Sequence, residues 1–131
     1  MTFTGGNLND TIIVANTARY AAVYGGSGDD YIENNAADVY MWGQDGNDKI
    51  INNGDNSCLI FGGNGDDTVE ITKGTGHYLD AGDGNDNVTV LGSASNATIY
   101  GGAGKNTITN KSGNNIGISA VSYTHLRAHE T

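Results

Sequence analysis

An all-β fold is what this sequence predicts: a β-solenoid built as a two-stranded β-roll of about six coils, with a period near 19 residues. Three observations carry that expectation. Glycine supplies 21 of the 131 residues and proline none, against a usual glycine share of roughly 7 %. Six blocks recur in phase: GGNLNDTII from Gly5, GGSGDDYIE from Gly25, GQDGNDKII from Gly43, GGNGDDTVE from Gly62, AGDGNDNVT from Ala81 and GGAGKNTIT from Gly101. Their starts lie 20, 18, 19, 19 and 20 residues apart, and self-similarity at a fixed short period marks a solenoid. Between the blocks, apolar residues follow the period of two that a strand with one buried face requires.

Each period reads as turn, strand, turn, strand. The glycine-rich block is the first turn, because glycine tolerates positive φ and close backbone approach. The first strand carries Ile12, Ile32, Ile50, Val69, Val88 and Ile108 at the eighth position of the block. A looser polar turn follows, reading NTAR, NNAAD, NNGDNS, KGTGH, GSASN and NKSGNN in the successive coils. The second strand carries Val23, Met41, Ile60, Leu79 and Ile99, two residues before the next block. Stacked coils would bury these two columns as facing ladders, with strands about 4.8 Å apart along the axis.

Composition narrows the function classes. Six Lys and Arg stand against 15 Asp and Glu, a net charge of −9, so neither nucleic acid nor an anionic membrane surface is an expected partner. Uninterrupted apolar runs such as VYMW at 39–42 and CLIF at 58–61 are four residues long, and no transmembrane segment is expected. The lone Cys58 excludes an internal disulfide. No HExxH, GxSxG or cofactor loop occurs in residues 1–120, so the chain is not expected to be an enzyme.

The block itself is specific. GGSGDDYIE and GGNGDDTVE match every defined position of the G-G-x-G-x-D-x-U-x nonapeptide, whose known chemistry is calcium binding. Over residues 5–120 the chain therefore resembles the RTX (repeats-in-toxin) hemolysin-type calcium-binding β-roll. It departs in that one of its two turn rows carries the motif. The other row is rich in Asn and Ser, similar to repeats of large bacterial surface proteins, and no second row of calcium sites is expected there. The resemblance implies a repeat module of a secreted or cell-surface bacterial protein, disordered where calcium is scarce and folded after export.

Calcium is a hard cation that takes about six to eight oxygen ligands at roughly 2.3–2.6 Å. Curled glycine turns can aim backbone carbonyls at one point, and a carboxylate at the sixth position adds charge. The sixth-position column is Asp10, Asp30, Asp48, Asp67 and Asp86, then Asn106. Stacked at strand spacing, these carboxylates repel one another unless a cation intervenes; Asp29, Asp45, Asp66 and Asp83 crowd the same row. Four bound Ca²⁺ would set +8 against the chain's −9, leaving a compact domain near neutrality. The expected ligands are the five Asp of that column and the turn glycines Gly25, Gly26, Gly28, Gly43, Gly46, Gly62, Gly63, Gly65, Gly82 and Gly84. Three gaps, those bounded by Asp30, Asp48, Asp67 and Asp86, are the best formed. Leu8 in place of glycine and Asn106 in place of Asp weaken the end gaps.

Other columns have plainer readings. Tyr24, Trp42, Phe61, Asp80 and Tyr100 sit one residue before successive blocks, with Tyr40, Leu59 and Tyr78 pointing the same way, so an aromatic stripe should line one outer face. It offers either sheet stabilisation or a surface for a glycan or host receptor. Asn34, Asn52 and Asn110 share a position after the first strand, as a hydrogen-bonded asparagine ladder would. Cys58 and His77 fall in one column with Ala21, Val39 and Ala97 and read as structural. Two further functions compete with a calcium-binding structural module: an accessory β-roll of an exported enzyme whose catalytic domain lies outside this chain, and a calcium-independent adhesive solenoid. Residues 121–131, VSYTHLRAHET, lack glycine and resemble a sequencing-adapter read-through; they are expected to be a non-native tail. The remainder is then a fragment whose neighbouring repeats, and any secretion signal, belong to a longer parent chain.

Overall fold

A computed structural model of the chain describes residues 1–119 and the backbone of Thr124–Ala128. The described residues form strands and turns with no helix, and so no helix long and apolar enough to cross a membrane. In chain order the strands are β1 (Thr2–Thr4), β2 (Thr11–Val14), β3 (Ala22–Gly26), β4 (Tyr31–Asn34), β5 (Tyr40–Asp45), β6 (Lys49–Asn52) and β7 (Leu59–Asn64). They continue with β8 (Thr68–Ile71), β9 (Tyr78–Asp80), β10 (Asn87–Val90), β11 (Thr98–Tyr100), β12 (Asn106–Asn110), β13 (Gly117–Ser119) and β14 (Thr124–Ala128). Odd-numbered strands make one seven-stranded parallel sheet and even-numbered strands the other, each in strict coil order. This is the β-solenoid that the period near 19 residues predicts.

Register confirms both apolar columns. Ile12, Ile32, Ile50, Val69, Val88 and Ile108 pair in succession across the even sheet. Val23, Met41, Ile60, Leu79 and Ile99 do so across the odd sheet, extended at its ends by Phe3 and Ile118. From Val23 to Ile108 the side chains of both columns are fully buried, each contributing about 1.5–3 kcal/mol by leaving water. The core is thus two facing ladders, thin but continuous along the axis. Most of the segment expected to be a non-native tail lies outside the described residues; within it, the backbone of β14 pairs in parallel with β12.

Turn two has its own logic. Tyr20, Asp38, Ser57, Gly76 and Asn96 each adopt positive φ one residue before the buried column Ala21, Val39, Cys58, His77 and Ala97. A left-handed residue at this one position in each of these coils therefore turns the chain into the odd sheet. Asn34 and Asn52 stack, with Asn34 Nδ2 donating to Asn52 Oδ1 at 2.9 Å. The ladder stops there because Ile71 follows Asn52 in register, and Asn110 bonds instead to Ser112 and Asn114 in its own turn. His77 is 1 % exposed. Its Nδ1 accepts from the Cys58 N–H at 3.1 Å, so Nε2 carries the proton and donates to the Lys73 carbonyl at 3.0 Å. Burial depresses its basicity, and both roles are structural.

The aromatic column lies on the outer face of the odd sheet, half-buried. Tyr24 and Trp42 stack with centroids 4.7 Å apart and planes 7° from parallel, and Trp42 and Phe61 at 5.7 Å and 9°. Tyr78 fills the place that Asp80 vacates, tilted between Phe61 and Tyr100. Because centroid spacing follows the coil repeat, the stacked rings stand like coins along the axis and cover each other's faces.

Candidate metal centre

In the first turn the fifth and sixth residues of each block build two antiparallel hydrogen-bond ladders. At the fifth position Asn9, Asp29, Asn47, Asp66 and Asn85 each accept, through Oδ1, the N–H of the same position in the following coil at 2.8–2.9 Å. One acceptor oxygen suffices there, which is why Asn and Asp alternate freely. At the sixth position the direction reverses. Oδ1 of Asp30, Asp48, Asp67 and Asp86 accepts the N–H of the preceding coil's Asp10, Asp30, Asp48 and Asp67, each at 2.8 Å.

That leaves the second carboxylate oxygen. Asp30, Asp48, Asp67 and Asp86 are between 1 % and 3 % exposed, and the Oδ2 of each is buried with no hydrogen-bond donor. A buried acceptor without a partner is costly, and a charged one more so. The neighbourhood of these oxygens holds another acceptor. The place a Cβ would take on Gly25 lies 2.7 Å from Asp30 Oδ2 and 2.6 Å from the Gly43 carbonyl oxygen of the next coil. On Gly43 the corresponding distances are 2.5 Å to Asp48 Oδ2 and 2.6 Å to the Gly62 carbonyl. On Gly62, Asp67 Oδ2 lies at 2.7 Å, with the Ala81 carbonyl against the same point. Three equivalent cradles result, each drawing one carboxylate oxygen and one carbonyl oxygen from adjacent coils. No donor answers the charge of the carboxylate oxygen.

The electrostatics follow from burial. Desolvation pushes the Asp48 carboxyl up to about 7, Asp67 to about 8 and Asp86 to about 7, and raises Asp30. The backbone N–H bonds oppose this rise, while the charges of neighbouring aspartates add to it. An all-oxygen donor set with uncompensated negative charge suits a hard divalent cation. Among the described residues no three His, Cys, Asp or Glu side chains come together as a metal cage, so a cation held here would take most of its ligands from carbonyls.

The remaining expected ligands divide by position. Asp10 stands in the column, but its Oδ2 already accepts the Gly6 N–H at 2.7 Å. Asp86 keeps its orphan oxygen, yet the first residue of its block, Ala81, carries a methyl where the three cradles have glycine. Gly26, Gly28, Gly46, Gly63, Gly65, Gly82 and Gly84 all take positive φ and shape the turn. Gly46 is the tightest case, at φ +112° with the Gly28 carbonyl in the path of any side chain. Gly46→Ala should lower stability by about 3 kcal/mol or more, read from the denaturation midpoint in excess calcium. The contribution of Ala81 escapes sequence reasoning, since it acts through its carbonyl and its residue type gives no sign of it.

A family model for the RTX calcium-binding nonapeptide repeat matches four copies, at residues 24–57, 59–70 and 80–116, more than half of the chain. Comparison with curated proteins and with solved structures gives no significant match.

Proposed function

The chain belongs to the RTX calcium-binding nonapeptide repeat family, and from that premise we propose that it is a structural module whose coils lock together on binding calcium. The observation that carries this reading is the set of buried, donor-free Oδ2 atoms of Asp30, Asp48 and Asp67, each paired with a carbonyl of the next coil. A bound Ca²⁺ supplies the positive charge and the coordination that these oxygens lack. The ligand pairs are Asp30 with Gly43, Asp48 with Gly62 and Asp67 with Ala81. Every pair spans two coils, so ligation and coil stacking are the same event.

Folding without the cation requires these carboxyls either to hold protons or to bury uncompensated charge. The net charge of −9 adds self-repulsion. The module therefore suits an environment rich in calcium, outside the cell or on a bacterial surface, as one segment of a longer repeat protein. Its stacked aromatic rings spend their faces on one another, which favours a stabilising role for that stripe over glycan recognition. A calcium titration followed by circular dichroism tests the reading, with a coil-to-β transition as the expected result.

A further inference from the structure

Asn106 closes the sixth-position column and is 1 % exposed. Its Oδ1 accepts the Asp86 N–H at 2.9 Å, continuing the ladder that the aspartates form. Its other atom differs. Nδ2 donates to the Gly101 carbonyl at 2.7 Å and to the Gly102 carbonyl at 3.2 Å, both in its own turn. The amide orientation is fixed by this network: reversing it would set NH₂ against an N–H and a carbonyl oxygen against two others. In the four preceding coils the corresponding atom is a buried Oδ2 with no donor.

We propose that Asn106 is an internal substitute for the cation, so that the sixth coil closes its first turn without calcium while the coils of Asp30, Asp48 and Asp67 require it. The physical difference is one atom. A buried carboxylate oxygen beside a carbonyl oxygen needs a third, positive party; an amide NH₂ at that atom's position carries no charge and is itself a donor, which Asn106 gives to the carbonyls of its own turn. Asparagine at the sixth position thus marks a coil that holds together in the absence of calcium, and a buried aspartate with a donor-free Oδ2, as at Asp30, Asp48 and Asp67, one that does not. This rests on the calcium reading above and assigns which coils that reading covers.

The test compares Asp67→Asn with Asp67→Ala, and Asn106→Asp with wild type, in the full chain by calorimetric calcium stoichiometry and circular dichroism. Both Asp67 variants should bind one ion fewer than wild type. Asp67→Asn, whose amide supplies two hydrogen bonds, should fold at about tenfold lower calcium than Asp67→Ala. Asn106→Asp should bind one ion more and need more calcium to fold. Equal calcium midpoints for Asp67→Asn and Asp67→Ala would overturn the proposal, with wild-type calcium dependence intact. If Asn106→Asp fails to fold at any calcium concentration, the Asp67 pair alone decides. A wild-type chain indifferent to calcium would instead overturn the calcium reading, and this assignment with it.

Discussion

Replacing Asp48 and Asp67 together by alanine should abolish calcium-driven folding, leaving no β-signal up to about 10 mM calcium, well above the range of weak extracellular sites. Two losses combine. The cradles at Gly43 and Gly62 lose their charged oxygens, so two of the three inter-coil contacts have nothing to hold a cation. The ladder breaks as well, because the buried N–H groups of Asp30 and Asp48 donate to the carboxylates removed. Each orphaned donor costs about 1–3 kcal/mol, enough to matter for a domain with so thin a core. Circular dichroism of the double variant across a calcium titration checks this. A transition at the wild-type midpoint would show that these carboxylates neither bind the ion nor support the stack.

The second large effect is on pH. In the unfolded chain an aspartate titrates near its ordinary value of about 3.9, whereas in the roll Asp48 and Asp86 lie at about 7 and Asp67 at about 8. Between those limits the calcium-free fold binds more protons than the unfolded chain does. Its stability is therefore highest at low pH and falls as pH rises from about 4 to about 8. In chelator, β-structure should be more populated at about pH 5 than at about pH 8.5. Calcium must displace the same protons, so its apparent affinity should rise across this window, and binding at pH 7 should release protons. Calorimetry in two buffers of different ionisation enthalpy measures that release. Calcium-free β-structure that is indifferent to pH, or that grows with it, would contradict the burial of these carboxyls.

Much of this molecule is legible in its sequence because a solenoid writes the same constraint six times. The Ile50 and Ile60 ladders, and the Asp48 column between them, stand out as repeated residue types at fixed offsets. What repeats only as backbone geometry does not stand out. The left-handed residue of the second turn is Tyr20, Asp38, Ser57, Gly76 and Asn96 in successive coils, five residue types fulfilling one requirement. The expected asparagine ladder proved to be a single Asn34–Asn52 rung, since burial at that position is met equally by Ile71. The fifth-position acids looked like added negative charge for a cation. Asp29 and Asp66 do act as charges on the neighbouring carboxyls, and each also uses one oxygen as a ladder acceptor, a role Asn47 fills as well. Phe3 begins the odd-sheet ladder at the same offset before its glycine block as Val23, a position the sequence pattern holds although the expected column begins at Val23.

The most direct test of the account is far-UV circular dichroism of the chain, titrated with calcium from chelator at neutral pH. Fluorescence of Trp42, held between Tyr24 and Phe61 of the neighbouring coils, provides a second probe of stacking. The account predicts a cooperative rise in β-structure with calcium, and a coincident change at Trp42. Magnesium should not reproduce it, because that ion needs near-ideal octahedral geometry at about 2.0–2.1 Å. A full β-spectrum in chelator at neutral pH, unmoved by calcium, would contradict it.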